Sequence, residues 1–193
     1  MKLVMDFYVI VLYNEKSLKR AGAFVKKQFL ETGIFVGTHG LKGELRLQPW
    51  CDSPETLTEF DRLYLNGGGD SFEITSAKVH KNIVIMKLNG VDDIESAERY
   101  RGKTVYLDRD SLELDDGDYF IQDLIGCRVF DADSGQLLGE LTDVSKTGAN
   151  DVWHIARDGK EYLIPAIPDV VISVDIDDGK IIIRPLRGIF DED

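Results

Sequence analysis

The sequence is poor in cysteine, with only Cys51 and Cys127, far apart and in no C-x-x-C pair. That argues against a disulfide framework and a cysteine zinc site, and it makes a reducing cytoplasm the expected home. Proline is scarce as well, 5 residues against 18 glycines, so polyproline-rich and collagen-like chains are excluded. No apolar run reaches the roughly 18 residues that a membrane-spanning helix needs. Histidine is limited to His39, His80 and His154, none in an H-x-x-H or H-E-x-x-H arrangement. No metal and no cofactor are therefore expected. A G-x-S-x-G nucleophile elbow is missing too, although a triad assembled from distant residues stays open.

Basic residues are the other shortage. Lys plus Arg number 23 against 35 Asp plus Glu, a net charge of −12. The deficit is uneven along the chain. Residues 1–28 carry six basic and two acidic groups, residues 29–110 ten and fourteen, and residues 111–193 seven and nineteen. Tight binding to naked nucleic acid rests on neutralising phosphates with Lys and Arg. The last third would repel a phosphate backbone and steer a strongly basic protein towards itself. The commoner use of negative charge is solubility alone. What is present in quantity, 43% hydrophobic and 30% charged residues, is globular composition.

Residues 1–28 look unlike the rest. Leu3 to Tyr13 is apolar apart from Asp6 and is followed by Glu15, Lys16, Lys19 and Arg20. Those charges argue against a signal peptide, and the expectation is a poorly ordered extension or an extra strand. From Phe29 onward short strands alternate with glycine. Gly33-Ile34-Phe35-Val36-Gly37 enters a glycine-rich turn, and Gly43 to Trp50 alternates at period two, as a half-buried strand does. Leu63-Tyr64-Leu65, Phe72-Glu73-Ile74, Ala77 to His80 and Thr104 to Leu107 continue the strands, Ile83 to Leu88 reads as a buried strand, and Asn66-Gly67-Gly68-Gly69-Asp70 is a hairpin loop. One helix is predicted from Asp93 to Tyr100, capped by Asp92 or Asp93, with Ile94, Ala97 and Tyr100 on one face and Gly102 beyond its end. These elements predict a small β-barrel over residues 29–110.

An acidic linker is placed at 111–118, and a second strand-rich block at 119–190. There Asp131 to Gly135, Asp158-Gly159 and Asp177-Asp178-Gly179 each separate two strands. Three consecutive Asp/Gly hairpins predict a second β-barrel or a folded sheet. The fold class is thus mainly β, in two small domains.

Gly37-Thr38-His39-Gly40-Leu41-Lys42-Gly43 invites a phosphate-loop reading, but Lys42 precedes Gly43-Glu44 where a P-loop needs Ser or Thr, and a strand follows where a Rossmann loop needs a helix. A tight turn is the better reading, on which His39, Lys42 and Arg46 are candidates for RNA contact. The runs at Asp131 and Asp175 fail the calcium-loop pattern and read as turns. Tyr119-Phe120 either fills a seam between domains or anchors a protein partner. Asp115, Asp116, Asp118 and Asp123 nearby would complement a basic one. Lys146 to Asp151 reads as a structural loop.

Taken together, Gly33 to Glu44, Asp118-Tyr119-Phe120, Asp123-Leu124-Ile125-Gly126, Thr147-Gly148-Ala149-Asn150-Asp151 and Leu163-Ile164-Pro165-Ala166 resemble, in order and spacing, the landmarks of the RimM family of bacterial ribosome maturation factors. The resemblance runs from about Phe29 to Phe190 and leaves residues 1–28 without a counterpart. It implies a translation-factor-like barrel followed by a PRC barrel. It also implies a non-enzymatic factor for maturation of the small-subunit head and its rRNA, and a cytoplasmic monomer is expected. The implied partners are small-subunit ribosomal protein number nineteen and the immature small subunit. The family's Tyr-Tyr pair falls on Tyr119 and Phe120, which gives Tyr119, Phe120 and Asp123 as partner-binding candidates. The second position has lost its hydroxyl here. Two rival readings are an enzyme built on the glycine-rich loop, motivated by His39 and Lys42, and a PRC-barrel adaptor of a membrane complex, motivated by the apolar segment near the start.

Overall fold

The computed structural model describes residues 26–51, 53–114 and 118–190. Most of the 1–28 extension and the centre of the 111–118 linker, Asp115 to Gly117, lie outside the described residues. The described chain divides into two compact units between Gln122 and Asp123.

In the first unit, alternating apolar residues build a closed barrel. Its strands are β1 (Phe29–His39), β2 (Glu44–Pro49), β3 (Arg62–Leu65), β4 (Asp70–His80), β5 (Ile83–Leu88) and β6 (Thr104–Asp108), in spatial order β1-β2-β5-β4-β3-β6. Every ladder is antiparallel. Closure depends on β1, whose 11 residues pair with both β2 and β6. Its register shifts at Glu31/Gly33 against β6 and at Phe35/Gly37 against β2, and such bulges supply the bend that closure needs. Period-two patterning decides which side chains go inward. Leu45 and Leu47 are fully buried while Arg46 and Gln48 between and beyond them are exposed. Leu30, Phe35, Leu63 and Leu88 complete the same apolar cluster.

The predicted helix is real but shorter, α1 (Ile94–Glu98). Asp93 is the cap: its carboxylate accepts hydrogen bonds from the Ser96 amide at 2.8 Å and the Ser96 hydroxyl at 3.1 Å. Those bonds hold its pKa below the usual carboxylate range. Ala97 is buried and Tyr100 packs edge-on to Phe72 with ring centroids 5.4 Å apart, but Ile94 is 41% exposed. A five-residue helix makes barely more than one turn, so its first residue is not drawn onto the face that Ala97 and Tyr100 share.

The second unit has six strands, β7 (Arg128–Asp131), β8 (Leu137–Lys146), β9 (Asp151–Arg157), β10 (Lys160–Pro165), β11 (Val171–Asp175) and β12 (Lys180–Ile183), in the order β10-β9-β8-β7-β12-β11. A four-residue helix, α2 (Ile121–Leu124), precedes them. Strands β7 and β12 run parallel and the other neighbours antiparallel. No ladder joins β10 to β11 among the described residues, so by hydrogen bonding this is a folded sheet rather than a closed ring. The Asp/Gly turns do the expected work. Asp131 accepts from the Ser134 amide and hydroxyl, each at 2.7 Å, and Asp175 accepts from the Asp178 amide at 3.0 Å. Both carboxylates are spent on their own loops. Asp158 and Gly159 have φ of 52° and 77°, the left-handed pair that a two-residue hairpin requires.

Cys127 sits in the core of this unit with no exposed surface. Burial, then the nearby Asp123 and Glu140 carboxylates, push its thiol up to about 11. The thiolate is the nucleophile, and at pH 8 a thiol of that pKa is ionised to about one part in a thousand. Native protein treated with iodoacetamide at pH 8 is expected to take up label at Cys51 and not at Cys127. In denaturant both should react, as intact and peptide masses will show.

Candidate interaction surfaces

The glycine-rich segment forms the β1–β2 hairpin. His39 pairs with Glu44 across it, Gly40 and Gly43 adopt φ of 64° and 74°, and Leu41 at the tip is 80% exposed. Gly43 is buried against the start of α1, where a Cβ would overlap the Val91 carbonyl. Lys87 on β5 fixes the contact from below. Its ammonium donates to the Lys42 carbonyl at 2.8 Å, to the Val91 carbonyl, and to the Asp92 carboxylate at 2.8 Å. The segment is therefore a braced turn, and its glycines answer a packing requirement. An open depression of about 590 Å³ beside it is lined by Leu41, Lys42, Glu44, Ser76 and Lys87. Its one well-placed ammonium is already bound to protein oxygens, and no helix N-terminus of useful length points into it, so it lacks the parts of a nucleotide site. His39, Lys42 and Arg46 are all exposed.

Tyr119, Phe120 and Asp123 are not equivalent. Tyr119 is half-buried, whereas Phe120 is 2% exposed and belongs to the apolar cluster of the first unit, with the Arg109 guanidinium 5.1 Å from its ring centroid. Asp123 is 4% exposed, and its carbonyl accepts a 3.3 Å bond from the Cys127 thiol. Of the three, Tyr119 presents the most surface. Phe120, with no hydroxyl to satisfy, suits a ring that lies in an apolar core.

The 146–151 loop ties itself down, as its composition suggested. The Thr147 hydroxyl donates to the Asn150 carbonyl at 2.6 Å, and the Asn150 amide group donates to the Asp151 carbonyl at 2.9 Å.

One constellation was missed by sequence reasoning because its members sit on three strands. The Ser145 hydroxyl and His154 Nε2 are 2.6 Å apart, and His154 Nδ1 is 3.1 Å from Glu161 Oε1. This is the triad from distant residues that motif searching leaves open. Acyl transfer also needs paired donors aimed at a developing oxyanion in a water-excluded site. Here Glu161 is 57% exposed on an open sheet face, and the relay instead cross-links β8, β9 and β10. The same outward rows carry Glu140 beside Ala156 and Glu161, then Asp143 beside His154 and Leu163. Leu163 is 54% exposed, so the face is acidic with an apolar centre. Among the described residues, no three His, Cys, Asp or Glu side chains are grouped to hold a metal ion. No helix of the described residues is long and apolar enough to cross a membrane.

A closed six-stranded barrel followed by a six-stranded sheet defines a two-domain, mainly β protein. Residues 30–112 match the RimM N-terminal domain and residues 121–189 the RimM PRC barrel domain. The chain belongs to the RimM family. The ribosome maturation factor RimM of Clostridium botulinum is 40% identical over 162 residues, 83% of this chain and 96% of the relative. That of Acetivibrio thermocellus is 40% identical over 172 residues, 86% of this chain and 98% of the relative. Among solved structures, a 16S ribosomal RNA processing protein RimM from Pseudomonas aeruginosa is 27% identical with a TM-score of 0.41, covering 81% of this chain and 96% of that one.

The brace at the hairpin yields a comparison of two glycines. Gly43→Ala meets both a positive φ and the Val91 backbone, and should cost about 2 kcal/mol or more. Gly40→Ala meets a positive φ and only the flexible end of Glu44 at 3.2 Å, and should cost about 1 kcal/mol. Urea melts of the two variants will rank them.

Proposed function

We propose that the chain is a ribosome assembly factor acting without catalysis in the cytoplasm, as a monomer, on maturation of the small-subunit head and on 16S rRNA processing. Its relatives carry the name ribosome maturation factor RimM. The acidic second unit holds a basic small-subunit ribosomal protein, number nineteen, and the hairpin residues His39, Lys42 and Arg46 touch nearby immature RNA. The observation that carries this reading is the outer face of β8, β9 and β10, where Glu140, Asp143 and Glu161 surround exposed Leu163 in the part of the chain with nineteen acidic against seven basic residues. A basic surface with one apolar anchor is its natural complement. Tyr119 supplies a second anchor, since half-buried tyrosines supply rigid amphipathic contact area.

An assembly factor must also leave. Tenfold tighter binding to the precursor than to the finished subunit needs about 1.4 kcal/mol, a difference that one anchor gained or lost provides.

Calorimetry with the purified ribosomal protein tests the charge argument. Raising salt from 50 to 500 mM should weaken binding about tenfold or more through slower encounter and screened attraction. Tyr119→Ala should weaken it by a further factor of about ten while the melting temperature stays put. Salt-independent binding would refute acidic steering, and full-strength binding by the Tyr119 variant would remove that anchor.

A further inference from the structure

We infer that the outer face of β2, β5 and β4 is a docking surface for the phosphate backbone of duplex RNA. This rests on the reading that the chain works on immature small-subunit RNA, and it extends the contact from the hairpin to a whole sheet face.

The ladder registers place the residues. Arg46 on β2 and Lys78 on β4 flank Ile85 of β5 from either side, and His80 on β4 stands beside Ile83. Lys81 follows in the β4–β5 turn at φ 58°, and Lys42 lies at the other end, next to Ser76 and Lys87. Ile85 is outside the barrel's core cluster yet only 3% exposed. Long basic side chains cover apolar neighbours with their stems and leave their heads in water, which accounts for a covered isoleucine between an arginine and a lysine. Two strand spacings set the Arg46 and Lys78 backbones about 10 Å apart.

Charge completes the case. The face gathers Lys42, Arg46, Lys78, Lys81 and Lys87 in a chain whose net charge is −12. Its carboxylates are Glu44, 3.8 Å from Lys78, Asp92, taken up by Lys87 at 2.8 Å, and the exposed Glu73 of β4, which accepts from the Asn89 amide group at 2.8 Å. Arg46 and Lys81 make no ion pair among the described residues. A cationic strip on an anionic molecule attracts a polyanion locally while the rest of the surface repels it, and that fixes orientation as well as affinity. Its outward rows contain no Phe, Tyr or Trp, so there is no platform on which single-stranded bases would stack. Lysines on a flat strip read backbone rather than base edges, which makes the ligand a sequence-tolerant duplex.

The test uses the full chain and a fluorescein-labelled 16-base-pair RNA duplex, read by anisotropy at 50 and 200 mM salt. With three to four phosphates neutralised, the affinity should fall about 60-fold across that range. The double variant Lys78→Gln/Lys81→Gln should lose at least about tenfold at 50 mM salt and should flatten the salt dependence by about two phosphates. The control Arg99→Gln/Arg101→Gln should bind like the parent. An unchanged affinity in the first variant with a parental melting temperature would overturn the inference, as would an equal loss in the control. A salt-sensitive dimer in light scattering that RNA does not displace would assign the strip to a second acidic copy and overturn it too. The same variant is titrated with the basic ribosomal protein. Intact protein binding with parental RNA binding sinks this inference alone, whereas loss of protein binding in the folded parent sinks the function on which it rests.

Discussion

A single ammonium holds the end of the barrel together. Lys87 rises from the most buried strand, β5, and meets the Lys42 carbonyl, the Val91 carbonyl and the Asp92 carboxylate. Two of these oxygens are backbone acceptors that no ladder satisfies, and leaving the part-buried Val91 carbonyl dry and unpaired would cost about 1–3 kcal/mol. The contact forces the hairpin onto the start of α1 so closely that only a residue without a Cβ fits at Gly43. Asp93, next in line, is then placed to cap the helix with its carboxylate. The exposed residues of the hairpin inherit their position from this brace, because a tip secured at its base by backbone contacts projects its side chains outward.

The distribution of charge follows a similar economy of parts. In the first unit cations gather on one sheet face, and acidic side chains close to them are already engaged. In the second unit the acidic groups are of several kinds, and Asp133, Asp158 and Asp177 are ion-paired with Arg184, Arg157 and Lys26. Asp131 and Asp175 are consumed by turn amides, and those bonds hold the Asp131 carboxyl below its ordinary pKa. Glu140, Asp143 and Glu161 face outward around an exposed leucine, Asp143 also accepting from the Val144 amide at 2.8 Å and Glu161 lying 3.1 Å from His154. Counting carboxylates in the sequence therefore overstates the field available to a partner, and the outward rows of β8, β9 and β10 are where it is concentrated.

Much of the fold was readable from period and punctuation. Alternation in β2, the apolar run of β5, the Asp/Gly turns of the second unit and the cap at Asp93 are local devices whose geometry is set by a few neighbouring residues. The failures share a different cause. Ile94 looked like part of a buried helical face, but the helix ended too soon. Phe120 reads equally well as a seam residue or an exposed anchor, because nothing local tells an apolar ring whether a core lies within reach; the barrel assembled from residues 13 to 90 positions earlier supplies that core. The Ser145–His154–Glu161 relay and the Arg46–Ile85–Lys78 row were invisible for the same reason, since each depends on register between strands.

That register also separates a relay from a catalyst. Ser145, His154 and Glu161 have the hydrogen-bond order of a hydrolytic triad, and a search by distance alone would select them. Yet the rate enhancement of such sites comes largely from preorganised donors and the exclusion of water, and an outward row of a sheet offers neither. In that setting the same bonds serve rigidity: three strands are tied at the point where Glu161 and exposed Leu163 stand side by side. Stiffness of this kind would favour the proposed binding of a basic surface, because less ordering is left for the moment of binding. On the proposed function, the relay would hold the acidic rows in register for a basic partner.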